Sequence, residues 1–184
     1  AFVSGSFGKV EMGRHSTASK TIGGISTAVG NGVITFLNDG TRQNSDAGIT
    51  YTSPVFSGAQ FAYTMEPGEN KAKALGLKYS ATVSGLNIAV AHGSFEDQSM
   101  KITKITSNGI KVAKGAFAVS YSESKQNGVA NKRKRVGVAY SASKVSVGYA
   151  QLKFGAEKET VTSATYMVAS GLSVFVENQK VSGK

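Results

Sequence analysis

The chain has 184 residues, with 21 Lys and Arg against 11 Asp and Glu for a formal charge of +10, 22 Gly, 2 Pro, and neither Cys nor Trp. That length suits one domain, the lack of Cys excludes a disulfide framework, and the charge favours anions of some kind. The cations are scattered singly along the chain rather than clustered with stacking aromatics, which excludes nucleic acid as the expected partner.

The N-terminal AFVSGSFG has neither a basic nor a long apolar region, so it is read as a strand end and not as a secretory signal. From there, apolar and polar residues alternate with the period of a half-buried β-strand near 9–14, 46–53, 59–65, 73–80, 86–93, 99–106, 110–122, 135–141, 144–152, 160–168 and 172–178. In the second and third of these, Ile49 and Tyr51, then Phe61, Tyr63 and Met65, alternate with Thr50, Thr52, Gln60 and Thr64. Only 16–31 carries any helical period, and its glycines weaken it. No run approaches the roughly 18 apolar residues of a membrane helix, but strands of this length can cross a membrane when tilted.

The connections alternate as regularly as the strands. SPVFSG, ATVSG, TSNG, SASK and ASG read as tight turns, while 15–45, 66–72, 94–98, 123–134 and 153–159 read as longer loops. That arrangement predicts an all-β, antiparallel up-and-down barrel with turns at one rim and loops at the other. The seven tyrosines support it. Tyr51, Tyr79, Tyr140 and Tyr166 precede short turns, and Tyr63, Tyr121 and Tyr149 precede long loops, as expected for aromatic girdles at two membrane surfaces. Faces opposite the tyrosines are small or polar, with Lys9, Lys78 and Lys114 as basic residues lining a water-filled lumen.

Catalysis finds little support. His15 and His92 lie on separate segments, no nucleophile and base share a motif spacing, and no metal-ligand cluster appears, so neither an enzyme nor a cofactor is expected. GGISTAVGNG has the glycines of a dinucleotide loop without the βαβ context. The run Lys132, Arg133, Lys134 and Arg135 reads as a solvated loop or, on an outward loop, as a lipopolysaccharide contact through charge-assisted hydrogen bonds.

SGSFGKVEMGR at 4–14, the Gly-rich stretch after it, and NSDAGITYTSPVFSGAQFAYTM at 44–65 together resemble the general diffusion porins of Gram-negative outer membranes. KALGLKYSATVSGLNIAVAHG, RVGVAYSASKVSVGYAQ and ATYMVASGLSVFVENQ look like the repeated hairpins of that family. The resemblance implies a homotrimeric barrel of about 16 strands, of which about eleven are represented here, with its long third loop folded into the lumen. It assigns 15–45 to that constriction loop and 1–184 to a single barrel domain lacking its first strands and its last. Arg14 matches the Arg of the family's Gly-Arg strand end, Arg42 approximates a basic residue after the loop, and Asp39 supplies a loop carboxylate, so these three form the expected constriction. With few loop acids, the implied function is passive diffusion of small hydrophilic solutes, preferentially anions, across the outer membrane. The competing reading is a surface adhesion protein or phage receptor that binds partners through its loops.

Overall fold

The structure, a computed structural model, describes residues 1–25, 44–67, 72–97 and 104–183. Its strands are β1 (Phe2–Gly5), β2 (Gly8–Ser16), β3 (Asn44–Thr52), β4 (Ala59–Met65), β5 (Lys73–Val83), β6 (Leu86–Glu96), β7 (Lys104–Lys114), β8 (Phe117–Gln126), β9 (Arg133–Ala142), β10 (Val145–Phe154), β11 (Glu157–Ala169) and β12 (Leu172–Ser182). One short helix, α1 (Ala18–Thr21), follows β2. The 12 strands form one antiparallel sheet in sequence order, each bonded to its chain neighbours, and β12 is not paired with β1 among the described residues. No helix among them is long and apolar enough to cross a membrane.

Because directly opposed residues of an antiparallel pair share a face, the ladder registers sort the sequence into two faces. One is apolar: the row Ile88, Val112, Val119, Val138, Tyr149 runs unbroken across β6 to β10. Val119, Val138 and Tyr149 are exposed, Val119 at 52% and Val138 at 45%, while Ile88 and Val112 are half-buried. The other is small: Gly76, Gly93, Ser107 and Ser124 form one row across β5 to β8. β-branched and aromatic residues suit a strand surface and require a nonpolar medium on their side, whereas glycine and serine leave room for something to lie on theirs.

Tight turns keep the ladder in phase. Ser57–Gly58 and Ser84–Gly85 have both residues at positive φ, at 47° and 85° and at 50° and 77°, the handedness that matches hairpin twist.

Three sequence-based expectations need correction. The stretch 110–122 is not one strand: Gly115, at φ 55°, and Ala116 turn the chain between β7 and β8. TSNG is not a turn but the middle of β7, where Gly109 gives space to Ile25; a Cβ there would lie 2.6 Å from Ile25 Cγ1. The supposed loop 153–159 is a two-residue turn, Gly155–Ala156, so the alternation of short and long connections breaks there.

Candidate functional site

The site begins with a segment that the small face accommodates. After β2 the chain turns into α1, and Thr17 to Ile25 lies against β3 to β7. Four residues cannot hold a helix alone, so packing holds this one. Ala18 and Ile22 form the buried cluster of the structure with Ala62, Ala72, Ala74 and Phe95. The strand residues beneath are small because backbone meets backbone. A Cβ on Gly76 would lie 2.3 Å from the Ala18 carbonyl oxygen, and one on Gly93 would lie 3.0 Å from that of Gly23.

A directional hydrogen-bond chain fixes the start of this segment. The Ala18 N–H donates to Thr64 Oγ1 at 2.8 Å. Thr64 and Thr50, direct partners across β3 and β4, share a hydroxyl–hydroxyl bond, and Thr50 Oγ1 lies 2.6 Å from His15 Nε2. His15 Nδ1 lies 2.7 Å from the Gly13 carbonyl, which can only accept, so Nδ1 carries a proton. In the neutral ring Nε2 then accepts from Thr50, Thr50 accepts from Thr64, and Thr64 accepts from the helix. Thr50 and Thr64 are both 1% exposed, and Thr17 and Ser19 are bonded to each other at 3.1 Å. The sequence reading missed His15, Thr50 and Thr64 as a unit; their shared parity was the available signal.

Around this segment the face is basic. Lys78 and Arg135 occupy the row Lys78, Ala91, Gly109, Ser122, Arg135; Arg133 lies in the next row toward the loops and Lys111 in the next toward the turns. Across β4 to β10 that face carries these four cations and no carboxylate at any strand position. Arg133 stacks 4.6 Å from the Phe154 ring centroid, its direct partner. Carboxylates occur on that face to either side of this span, with Glu11 on β2 and Glu157, Glu159 and Glu177 on β11 and β12, and Glu66 and Asp97 lie buried just beyond the ends of β4 and β6; Gln179 Nε2 donates to Glu159 at 2.6 Å.

The expected site residues fall out as follows. Lys78 is on the small face. Lys9 is too, but pairs with Glu11 at 2.8 Å and lies over the Phe2 ring. Lys114 is a correction: it opposes Phe117 and shares the apolar face, and Lys111 is the inward lysine of β7. Arg14 is exposed at an irregularity of β2, between Gly13 paired with Gly48 and His15 paired with Ser45. Arg42 and Asp39 lie outside the described residues. The basic run divides by parity: Arg133 and Arg135 take the small face, Lys134 the apolar one, while Lys132, in the connection, bonds Glu123 at 3.1 Å.

All seven tyrosines lie on the apolar face. Tyr140 packs against Phe117 with ring centroids 4.9 Å apart, and Tyr51 against Phe61 at 5.6 Å. Their sorting between two rims needs two corrections: Tyr51 and Tyr63 are direct partners and therefore sit at one level, and Tyr149 lies in the middle of β10 opposite Val138 rather than before a long loop. His15 contacts Thr50 on the small face, whereas His92 bonds Asn108 Oδ1 at 2.8 Å on the other, so one site cannot use both. No cluster of metal-binding residues occurs among the described residues.

A sheet of this order, with an apolar outer band and a polar face bearing a packed loop segment, defines the wall of an outer-membrane β-barrel. The model of the Gram-negative porin family matches residues 1–184, and the chain belongs to that family. Two solved structures support the fold. The outer-membrane expressed OmpT of Vibrio cholerae is 17% identical, with TM-score 0.58 over 99% of this chain and 69% of that one. OmpT folded in vitro, an outer membrane protein of Vibrio cholerae, is 18% identical with TM-score 0.56 over 97% and 67%. No curated protein sequence matches. The protein is thus an outer-membrane porin-type protein.

Proposed function

We propose that the protein forms a water-filled, non-enzymatic channel for passive diffusion of small hydrophilic solutes, with a preference for anions. The observation that carries the preference is the run of Lys78, Lys111, Arg133 and Arg135 on the loop-bearing face, without a carboxylate at a described strand position of that face from β4 to β10. Cations fixed along a pore wall raise the local anion concentration and lower the barrier to anion entry. The segment Thr17–Ile25 narrows the lumen beside them, as the described part of a constriction loop over 15–45, with Arg14, Arg42 and Asp39 completing the constriction. The tyrosines nearest the strand ends form the aromatic girdles, and the channel assembles as a homotrimer.

The zero-current potential across a planar bilayer under a salt gradient tests the preference. The parent protein should show anion selectivity, and Lys78→Glu combined with Arg135→Glu should move the potential toward cations. Cation selectivity in the parent would refute the preference, and absence of stepwise current would refute the channel.

A further inference from the structure

We propose a binding site for a zwitterionic α-amino acid with an apolar side chain, built from Arg133, Phe154 and Glu157 on the small face. The proposal rests on the porin reading and names a solute class for it. Arg133 directly opposes Phe154 across β9 and β10, and Phe154 directly opposes Glu157 across β10 and β11. The three therefore share one row, with a cation at one end, an aromatic ring in the middle and a carboxylate at the other. They stand at the loop-side ends of their strands, so a solute entering from the loops meets this row first.

The two charges do not neutralise each other. The Arg133 guanidinium lies over the Phe154 ring, 4.6 Å from its centroid, and its Nη1 reaches Gln126 Oε1 at 3.4 Å. Stacking of this kind holds the guanidinium plane while leaving further N–H groups at its edge for a carboxylate. Glu157 is exposed, and its carboxylate makes no hydrogen bond or ion pair among the described residues. Lys158 is its chain neighbour, but the period of two sends that lysine to the apolar face, opposite Lys153. Glu159, one row toward the turns, is already committed to Gln179 Nε2 at 2.6 Å. Beneath the charges the floor is apolar: Phe154 and Leu152 lie two residues apart on β10, both half-buried, on a face otherwise mostly small or polar.

Spacing and chemistry together identify the occupant. A simple anion would meet Glu157 as well as Arg133, and a simple cation the reverse, whereas a ligand carrying both charges satisfies both ends. Neighbouring strands lie about 4.8 Å apart, so Arg133 and Glu157, two strands apart, have backbones about 10 Å apart. A hydrogen bond of about 3 Å at each end leaves about 4 Å between the ligand's own charges, as in an α-amino acid. Each further residue of an extended peptide would add about 3.5 Å and overshoot the gap. An apolar side chain on the ligand covers Phe154 and Leu152, which otherwise face the water of the lumen.

The test uses the folded protein in detergent, with binding of four probes read by saturation-transfer NMR: leucine, N-acetyl-leucine, leucinamide and glycine. Leucine should bind saturably, and each of the other three, lacking the ammonium, the carboxylate or the apolar side chain, should bind more weakly. Arg133→Gln and Glu157→Gln should each lower leucine affinity about fivefold. Phe154→Ala should erase the preference for leucine over glycine. Lys158→Gln, between the two glutamates in sequence but on the apolar face, should leave affinity unchanged. The exchange Arg133→Glu/Glu157→Arg guards against misfolding, because it should recover binding relative to either single variant with the ligand reversed. Equal binding of N-acetyl-leucine or leucinamide, full affinity in Glu157→Gln, an equal loss in Lys158→Gln, or no recovery in the exchange would overturn the proposal. Single-channel recording on the same samples separates the two readings. Stepwise current without leucine binding would sink the site alone, and leucine binding without current would sink the channel alone.

Discussion

Replacing Gly76 with alanine places one methyl group between the sheet and the segment that lies on it. The added Cβ would sit 2.3 Å from the Ala18 carbonyl oxygen and 2.9 Å from the Gly23 nitrogen, both backbone atoms that cannot rotate away. Restoring ordinary contact requires the segment to move off the wall by about 1 Å, and overpacking of this kind costs about 1–3 kcal/mol. The same shift stretches the 2.8 Å bond from the Ala18 N–H to Thr64 Oγ1 beyond hydrogen-bonding range, at a residue with 0% exposure. The strand itself tolerates alanine, so the barrel should still fold and show heat-modifiable mobility in detergent gels. In a planar bilayer, Gly76→Ala should have lower single-channel conductance than the parent, because the segment is displaced toward the pore axis, and a lower unfolding temperature in detergent. Parental conductance with parental stability would refute the close approach, and raised conductance would refute the direction of displacement.

Two further substitutions probe the wall. Thr64→Val keeps the side-chain shape but leaves the Ala18 N–H buried without its acceptor, so stability in detergent should fall by about 1–3 kcal/mol, measured by denaturant titration. Val138→Arg, in the apolar row between Val119 and Tyr149, should cost about 2–4 kcal/mol in refolding into lipid vesicles if that row lies near the bilayer midplane, and a cost near zero would refute that depth.

Alternation in the sequence made the strands and their two faces legible, because a one-residue slip would expose every side chain on the wrong side. Where the reading failed, a glycine or a turn was responsible. Gly109 resembles a turn residue, but its freedom serves a close approach to Ile25 that only the folded loop reveals. Treating 110–122 as one strand then put Lys114 in phase with Ser120. The two-residue turn at Gly115–Ala116 reverses that phase, so Lys114 joins Phe117 while Lys111 joins Ser120. The hydrogen-bond chain from His15 to Ala18 was hidden because its bonded partners lie up to 46 residues apart, on strands whose register the sequence does not state.

The two faces also explain why the chain can keep so slight a core. The buried hydrophobic residues described are mostly alanine, with Phe95, Ile22, Ile25, Ile105 and Val161 the larger exceptions, while residues such as Phe117, Leu77 and Val176 are 61%, 42% and 67% exposed. In water, that distribution would forgo most of the roughly 1.5–3 kcal/mol available from burying each large apolar side chain. In a bilayer the exposed set is removed from water by lipid, and the small set is freed from filling an interior. Glycine and alanine can then be used where the loop segment needs room, and lysine and arginine along the wall of the proposed channel. The economy of the small face depends on the apolar face being buried by something other than protein, so membrane insertion and the room for a packed loop segment follow from the same alternation.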